Sequence, residues 1–239
     1  MTTFIFHVGG ADHDLYSLRD DTAQADNNIP LDRAIELAEQ DPIWAQRGKA
    51  IQGYAQLENS LCSLFSSIGS IQLPAASTIF YKIVNTGSRT AILKKLMRQK
   101  HGTQFNPFWN VFFRELTMID SRRSEIAHWM AVANVALDIE HKLLVGVMLI
   151  TPTGSMTYNE NSPNLKLNDL ADFQTKCEAF SRLVNMFTLA TNSAQQLDDD
   201  KRTKWLDIFQ QPLIYPLPED HPLNEKTKEP DSPPQSSQA

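Results

Sequence analysis

From Ile43 to Ile71 the chain carries an apolar stripe at helical spacing with few breaks. Ile43, Ile51, Tyr54, Leu57, Leu61, Leu64, Phe65 and Ile68 recur at that spacing, with Arg47 inside the stripe. An α-helix turns once in about 3.6 residues, so these positions share a face. A stripe of this length has to be buried against other elements, and helices are the simplest cover. Between Ala50 and Tyr81 the only charged side chain is Glu58. An unpaired carboxylate on an apolar helix is costly to bury. Glu58 is therefore expected to face water or, slightly better supported, to hold an arginine from a neighbouring helix.

The flanking segments follow the same logic. Pro30 and Asp32 open a short helix running to Gln40, and Asp41-Pro42 is a start signal for the long one. Gly69–Thr78 reads as a turn with Pro74 opening the next helix. Ala75–Val84 and Arg89–Lys100 then read as helices, or as one helix bent near Asn85–Gly87, with His101-Gly102 as the stop. After a loop over Thr103–Pro107, a helix with a heavy apolar payload is expected from Phe108 to about Val132. Beyond Trp129 the period changes. Val132–Ile139 and Lys142–Thr151 are rich in β-branched and aliphatic residues around Glu140-His141, a hairpin signal. Pro152–Pro163 is a loop by composition. Asn168 or Asp169 caps a last long helix reaching about Leu197, and Asp198–Phe209 adds a short one.

The expected fold class is mainly α, a bundle of four to five helices with a small β-hairpin inserted before the last long helix. Residues 1–30 form an N-terminal arm, with a short strand over Thr2–Val8 and a polar, acidic stretch from Asp12 to Asn28. Residues 31–209 form the helical domain. Prolines at 212, 216, 218, 222, 230, 233 and 234 make 210–239 an expected disordered tail.

Composition limits the function classes. Cys62 and Cys177 are far apart and have no partner at metal-ligand spacing, so they read as buried thiols in a reducing compartment. The N-terminus lacks a basic start and a long apolar run, and no stretch approaches the ~20 apolar residues of a membrane helix. A soluble, cytoplasmic protein is expected. Net charge is −6, yet Lys82–Arg123 holds nine lysines and arginines against Glu115 and Asp120. That stretch is a solvated helix face or a surface for a polyanion, with Lys94, Lys95 and Arg98 as its RNA-binding candidates. Neither a GxSxG nucleophile nor a phosphate-cradling glycine loop is present. His7 and His13 with Asp12 or Asp14 read as part of an acidic arm rather than a metal site. His101 and His141 are expected to be solvated.

The chemistry concentrates in RELTMIDSRRSEIAHWMAV, residues 114–132. Arg122, Arg123, Ser124 and His128 fall within less than two helical turns. Ser124 and His128, four apart, share a face; Arg123 starts about 140° from His128, and its long stem is expected to bring the guanidinium round. Histidine moves protons near neutral pH, and arginine offers a fork for phosphate. Together they suffice in kind for metal-free cleavage of RNA. By spacing alone, the competing reading is stronger: His128 packs in the bundle while Arg122 and Arg123 pair with Glu125, Asp120 or Glu58.

The segment resembles the HEPN superfamily, helical proteins of bacterial toxin, phage-defence and RNA-processing systems. Their mark is an arginine, four to six residues, then a histidine. Arg123 with four intervening residues fits, as does Arg122 with five. RSEIAHW supplies Ile126, Ala127, His128 and Trp129 in the family's flanking pattern. YAQLENSLCSLF, Tyr54 to Phe65, looks like the family's long early helix, with Glu58 as its frequent acidic residue. The likeness covers roughly Ile43 to Asn192. Ser124 departs from it, standing where the family prefers Asn, Asp or His. The resemblance implies a metal- and cofactor-independent endoribonuclease, of the kind found among toxins and phage-defence effectors. Its catalytic set would be Arg123, His128, Arg122, Ser124 and Glu58. Two copies of the motif would meet across a homodimer, acting on single-stranded RNA that stacks on aromatics such as Trp109 or Trp129, with an antitoxin or other protein as partner. The alternative within the same family is a non-catalytic module that dimerises or binds a ligand or partner. A structural all-α adaptor, docking partners through its Pro-rich tail, needs only the bundle.

Overall fold

The computed structural model describes residues 4–7, 15–16, 31–137, 143–151, 163–192 and 197–224. The fold is mainly α with a small antiparallel β-sheet. The helices are α1 (Leu31–Glu39), α2 (Ile43–Gly69), α3 (Leu73–Lys82), α4 (Thr86–His101), α5 (Asn106–His128), α6 (Leu167–Thr191) and α7 (Asp199–Phe209). The strands are β1 (Phe4–His7), β2 (Leu15–Tyr16), β3 (Met130–Leu137), β4 (Leu143–Ile150) and β5 (Asn164–Leu165), in the spatial order β2-β1-β3-β4-β5.

The apolar stripe does form one helix, α2, and α6 is its closest partner. The two run in parallel. Gln46 donates to Gln174 at 2.8 Å near one end, and the buried hydroxyls of Ser60 and Ser181 meet at 2.7 Å further along. Pairing two hydroxyls satisfies both without admitting water. α5 runs antiparallel to α2: Arg47 reaches the end of α5, whereas Tyr54 reaches Asp120, a turn and a half earlier. The core between these helices is largely aromatic. Phe112 packs on Phe180 at 4.9 Å, Trp109 on Phe187 at 5.0 Å, and Phe108 on Phe209 of α7 at 4.9 Å.

Local signals explain most helix ends. Asp41 Oδ1 accepts from the Ile43 amide at 2.9 Å, capping α2, and its Oδ2 accepts from Val147 of β4 at 3.2 Å. One carboxylate thus ties the start of the central helix to the sheet. Asn85 caps α4 through Ser88, and Gly102, at φ +65°, ends it in a conformation that favours glycine. Asp169 accepts from the Lys166 amide at 2.7 Å at the start of α6.

Several expectations are corrected. The hairpin exists as β3 and β4, paired from Met130↔Ile150 to Leu137↔Leu143, but α5 stops at His128 rather than near Val132. Trp129 is already extended, because the β-ladder engages the backbone at Met130. α6 ends at Thr191, short of Leu197. The mainly α bundle with a small β insertion is as expected: α2, α4, α5 and α6 are its long helices, and α1, α3 and α7 are short elements packed around them. In the N-terminal arm, β1 pairs with β3, extending the hairpin into a wider sheet. The rest of Asp12–Asn28 beyond Leu15–Tyr16 lies outside the described residues, as do 152–162 and 225–239.

The expected tail from 210 is also corrected as far as Asn224. Leu213 is buried, and Tyr215, Leu217 and Leu223 pack against the core. Tyr215 lies edge-on to Phe180 at 5.6 Å. Apart from a 3-10 turn at Pro222–Asn224, the prolines stop regular structure there but do not stop apolar side chains between them from filling gaps in the bundle.

Candidate functional site

Three polar side chains on one face of α2 organise the surroundings of the Arg123–His128 segment. Arg47, Tyr54 and Glu58 are seven and four residues apart, so they project in nearly the same direction. Arg47 meets the C-terminus of α5. Its Nε donates to the Ile126 carbonyl at 2.8 Å, and one terminal nitrogen donates to Ala127 at 3.0 Å and Trp129 at 3.2 Å. The last carbonyls of a helix have no partner within it, and a cation there also complements the helix dipole. Burial lowers the Arg47 pKa from its ordinary value, but an arginine keeps its charge. The backbone carrying His128 is therefore clamped.

Tyr54, one helical repeat further along, donates to Asp120 Oδ1 at 2.7 Å, and Thr86 donates to the same oxygen at 3.2 Å. Burial, followed by the bond to Asp120 and the nearby carboxylate charges, raises the Tyr54 pKa far above the ordinary phenol value. The phenol stays a neutral donor. The guanidinium of Arg123 sits over the Tyr54 ring, 5.4 Å from its centroid. Its Nε is buried without a hydrogen-bond acceptor. Glu58 pairs with Arg89 of α4, and Arg89 also donates to the Ile83 carbonyl. Glu58 is thus the structural ion pair that the lone carboxylate called for, and it does not reach the Arg123–His128 segment.

His128 ends α5 with an exposed imidazole that has no hydrogen-bond partner among the described residues. Ser124 is exposed one turn earlier. Arg122 is exposed and paired with Glu125 at 2.8 Å. It also lines a cleft of about 510 Å³ with Met118, Asp172, Lys176 and Tyr215. The expectation that Arg123 swings its guanidinium to the imidazole is corrected: cation–π contact with Tyr54 holds it on the α2 side of α5. Lys94, Lys95 and Arg98 are exposed on α4, with Lys94 Nζ 5.2 Å from the Phe113 ring centroid. They belong to the other end of α5.

The aromatics and the other histidines are placed unequally. Trp109 is buried at 4% exposure, so it is core rather than a stacking platform. His101 is not solvated as expected. It packs edge-on to Phe105 at 5.5 Å and Phe187 at 5.7 Å. His13 and His141 lie outside the described residues, and only the backbone of His7 is described. Among the described residues there is no group of three His, Cys, Asp or Glu side chains fit to hold a metal ion, and no helix long and apolar enough to cross a membrane.

Sequence reasoning missed Arg47, Tyr54 and Asp120. The signal for the first two was present: a seven-residue spacing from Arg47 to Tyr54, continued at Glu58, puts a polar ridge along an otherwise apolar helix. No protein-family model, no curated protein and no solved structure matches the chain.

Proposed function

We propose that the protein is a metal-independent endoribonuclease of the HEPN type, acting on single-stranded RNA as a symmetric homodimer. The observation that carries this reading is a contrast in pairing. Arg89, Arg122 and Lys176 each hold a carboxylate. Among the described residues, Arg123 has no carboxylate partner, and the exposed imidazole of His128, five residues on, has no hydrogen-bond partner. A guanidinium without a counter-ion, five residues along the same helix from an exposed imidazole, is suited to a phosphate ester once it leaves the Tyr54 ring.

One histidine takes the proton of a ribose 2′-hydroxyl, whose oxygen bonds to the adjacent phosphorus. The P–O5′ bond breaks, and the leaving oxygen takes a proton from a second histidine. The products are a 2′,3′-cyclic phosphate and a 5′-hydroxyl. Arg123 stabilises charge on the phosphate oxygens, and Ser124 offers a hydroxyl one turn from His128. A single chain supplies one histidine here, so the second comes from another copy. Exposed apolar side chains on and just after α3, namely Leu73, Ile79, Tyr81 and Val84, are the kind of surface that a second copy covers.

A second reading, a non-catalytic module that dimerises or binds a partner, is favoured by one specific observation: Arg123 points at Tyr54. The test is to incubate wild type and His128→Ala with mixed RNA in chelator, with folding checked by circular dichroism. Cleavage by wild type alone, leaving cyclic phosphate ends, is expected. Equal cleavage by both proteins, or none by a wild type shown to be dimeric, would favour the second reading.

A further inference from the structure

Asp120 and Arg123 stand three apart on α5, the spacing at which a carboxylate and a guanidinium pair along a helix. On the same helix Arg122 and Glu125, also three apart, do pair, at 2.8 Å. Among the described residues no ion pair joins Asp120 to Arg123, because one side chain of α2 engages both. The Tyr54 hydroxyl donates to Asp120 Oδ1 at 2.7 Å, and the Thr86 hydroxyl donates to the same oxygen at 3.2 Å. The Tyr54 ring takes the guanidinium of Arg123, 5.4 Å from its centroid. Tyr54 is 5% exposed, so both contacts are made from a packed position.

Arg123 is held there weakly. The attraction of a cation to an aromatic face and the cost of burying a donor without an acceptor are of similar size and opposite sign. Arg123 carries both, since its Nε is buried with no hydrogen-bond partner. An ion pair with Asp120 would give the guanidinium charge-assisted bonds and would be harder to leave. We propose that Tyr54 keeps Arg123 in reserve: its ring parks the guanidinium, its hydroxyl denies it Asp120, and a phosphate arriving beside His128 draws it off. That the anion is a phosphate of RNA rests on the nuclease reading. A ligand moves a side chain with two positions when it favours one by more than the margin between them. A phosphate offers Arg123 the paired bonds that an aromatic face lacks. Ala127, one turn on from Arg123 towards the end of α5, presents only a methyl group along that route. Tyr54 is thereby a positioning residue, acting on the phosphate through Arg123.

Removing Tyr54 should not free Arg123 but lose it to Asp120. Tyr54→Leu keeps an apolar side chain in the packed position and deletes both ring and hydroxyl. Arg123 then pairs with Asp120, and a phosphate has to compete with a carboxylate. Asp120→Asn in the same chain removes that competitor, while the amide oxygen can still accept from Thr86. A purely structural role for Tyr54 gives no reason for rescue by the loss of a charge.

The experiment pairs single-turnover RNA cleavage with NMR of the full chain carrying isotope-labelled arginine. It compares wild type, Tyr54→Leu and Tyr54→Leu/Asp120→Asn, each checked for folding by circular dichroism. The Nε–H signal of Arg123, assigned by its absence from Arg123→Lys, reports the side chain without reference to activity. In wild type it should lie upfield, in the ring current of Tyr54. It should leave that position on addition of a 2′-O-methyl RNA hexamer, which lacks the 2′-hydroxyl nucleophile and so survives. Cleavage should fall at least about threefold in Tyr54→Leu, the size of a helix ion pair set against the phosphate. It should return to within about twofold of wild type in the double variant. A wild-type signal at the ordinary arginine position, cleavage unchanged in Tyr54→Leu, or a fall that Asp120→Asn does not relieve would each overturn the proposal. Should Tyr54→Leu not fold, the wild-type signal and its response to the hexamer decide. If no protein cleaves, yet the hexamer moves the signal more readily in wild type and the double variant than in Tyr54→Leu, the nuclease reading fails alone. If the hexamer moves no signal, the proposal fails as well.

Discussion

Arg47 Nε donates to the Ile126 carbonyl at 2.8 Å, joining the first turns of α2 to the last turn of α5 across 79 residues of chain. The same guanidinium reaches Ala127 and Trp129, so one side chain closes a helix and holds the start of the strand that follows. Arg47→Ala is expected to cost about 2–3 kcal/mol, the range for losing charge-assisted bonds to part-buried acceptors. Arg47→Lys should recover less than half of this, since an ammonium lacks the planar fork that serves three carbonyls at once. Urea denaturation of the three proteins measures it, and a Lys variant as stable as wild type would show that charge alone suffices.

Arg122 and Arg123 are adjacent in sequence and opposite in setting. Arg122→Ala removes an exposed ion pair worth at most about 1 kcal/mol, and RNA cleavage should fall no more than about threefold. Arg123→Ala should lower cleavage at least a hundredfold, the size expected for losing one charge stabiliser in the transition state. Tyr54→Phe keeps the ring under Arg123 but removes the bond to Asp120. It should cost about 1 kcal/mol of stability and leave cleavage within a few-fold of wild type. Rates measured under single turnover separate these cases; equal losses for Arg122 and Arg123 would remove Arg123 from its proposed role.

Burial lowers the pKa of His101 below the ordinary 6.5, with the Lys100 charge adding to it. Burial also lowers that of His221, against an opposite pull from Asp220. Both therefore bind their protons less readily in the fold than in the unfolded chain, which takes them up as pH falls through 6.5. The unfolded state then binds more protons, so stability declines as pH drops from 7 through 6.5 and below. Thermal melts between pH 7.5 and 5.5 should show this decline, and His101→Phe should flatten it. A variant with the wild-type slope would assign the effect elsewhere.

The segment after α7 should contribute measurably to stability. Leu213 is 8% exposed, and Leu213→Ala should cost about 2–3 kcal/mol. Tyr215→Ala removes the edge contact to Phe180 and the Lys176 contact, 5.0 Å from the ring centroid, for about 2 kcal/mol. Chemical denaturation of both variants tests it, and two unchanged midpoints would mean that the segment is not held in solution.

What was legible in the sequence is what repeats. Ile43 to Ile68 shows period 3.6, and α2 follows it; Val132 to Ile150 shows β-branched runs about a turn, and β3 and β4 follow them. Capping residues set several boundaries, because Asp41 and Asn85 act on amides two or three residues away. The end of α5 was not legible, since the apolar residues after Trp129 suit a helix as well as a strand until β4 pairs with them. Nor was the packing of Leu213, Tyr215 and Leu217, whose interleaved prolines leave no period.

For the candidate site the division is sharper. The sequence by itself determined that Arg122, Arg123, Ser124 and His128 share less than two turns of one helix, because local spacing fixes direction around a helix axis. Only the tertiary structure decided which of them is free. Glu58 chose Arg89, Tyr54 took Arg123, and Arg47 clamped the backbone on either side of His128. Most of these partners lie on other helices, some dozens of residues away, and pairing across such distances is set by how the helices pack rather than by any local pattern.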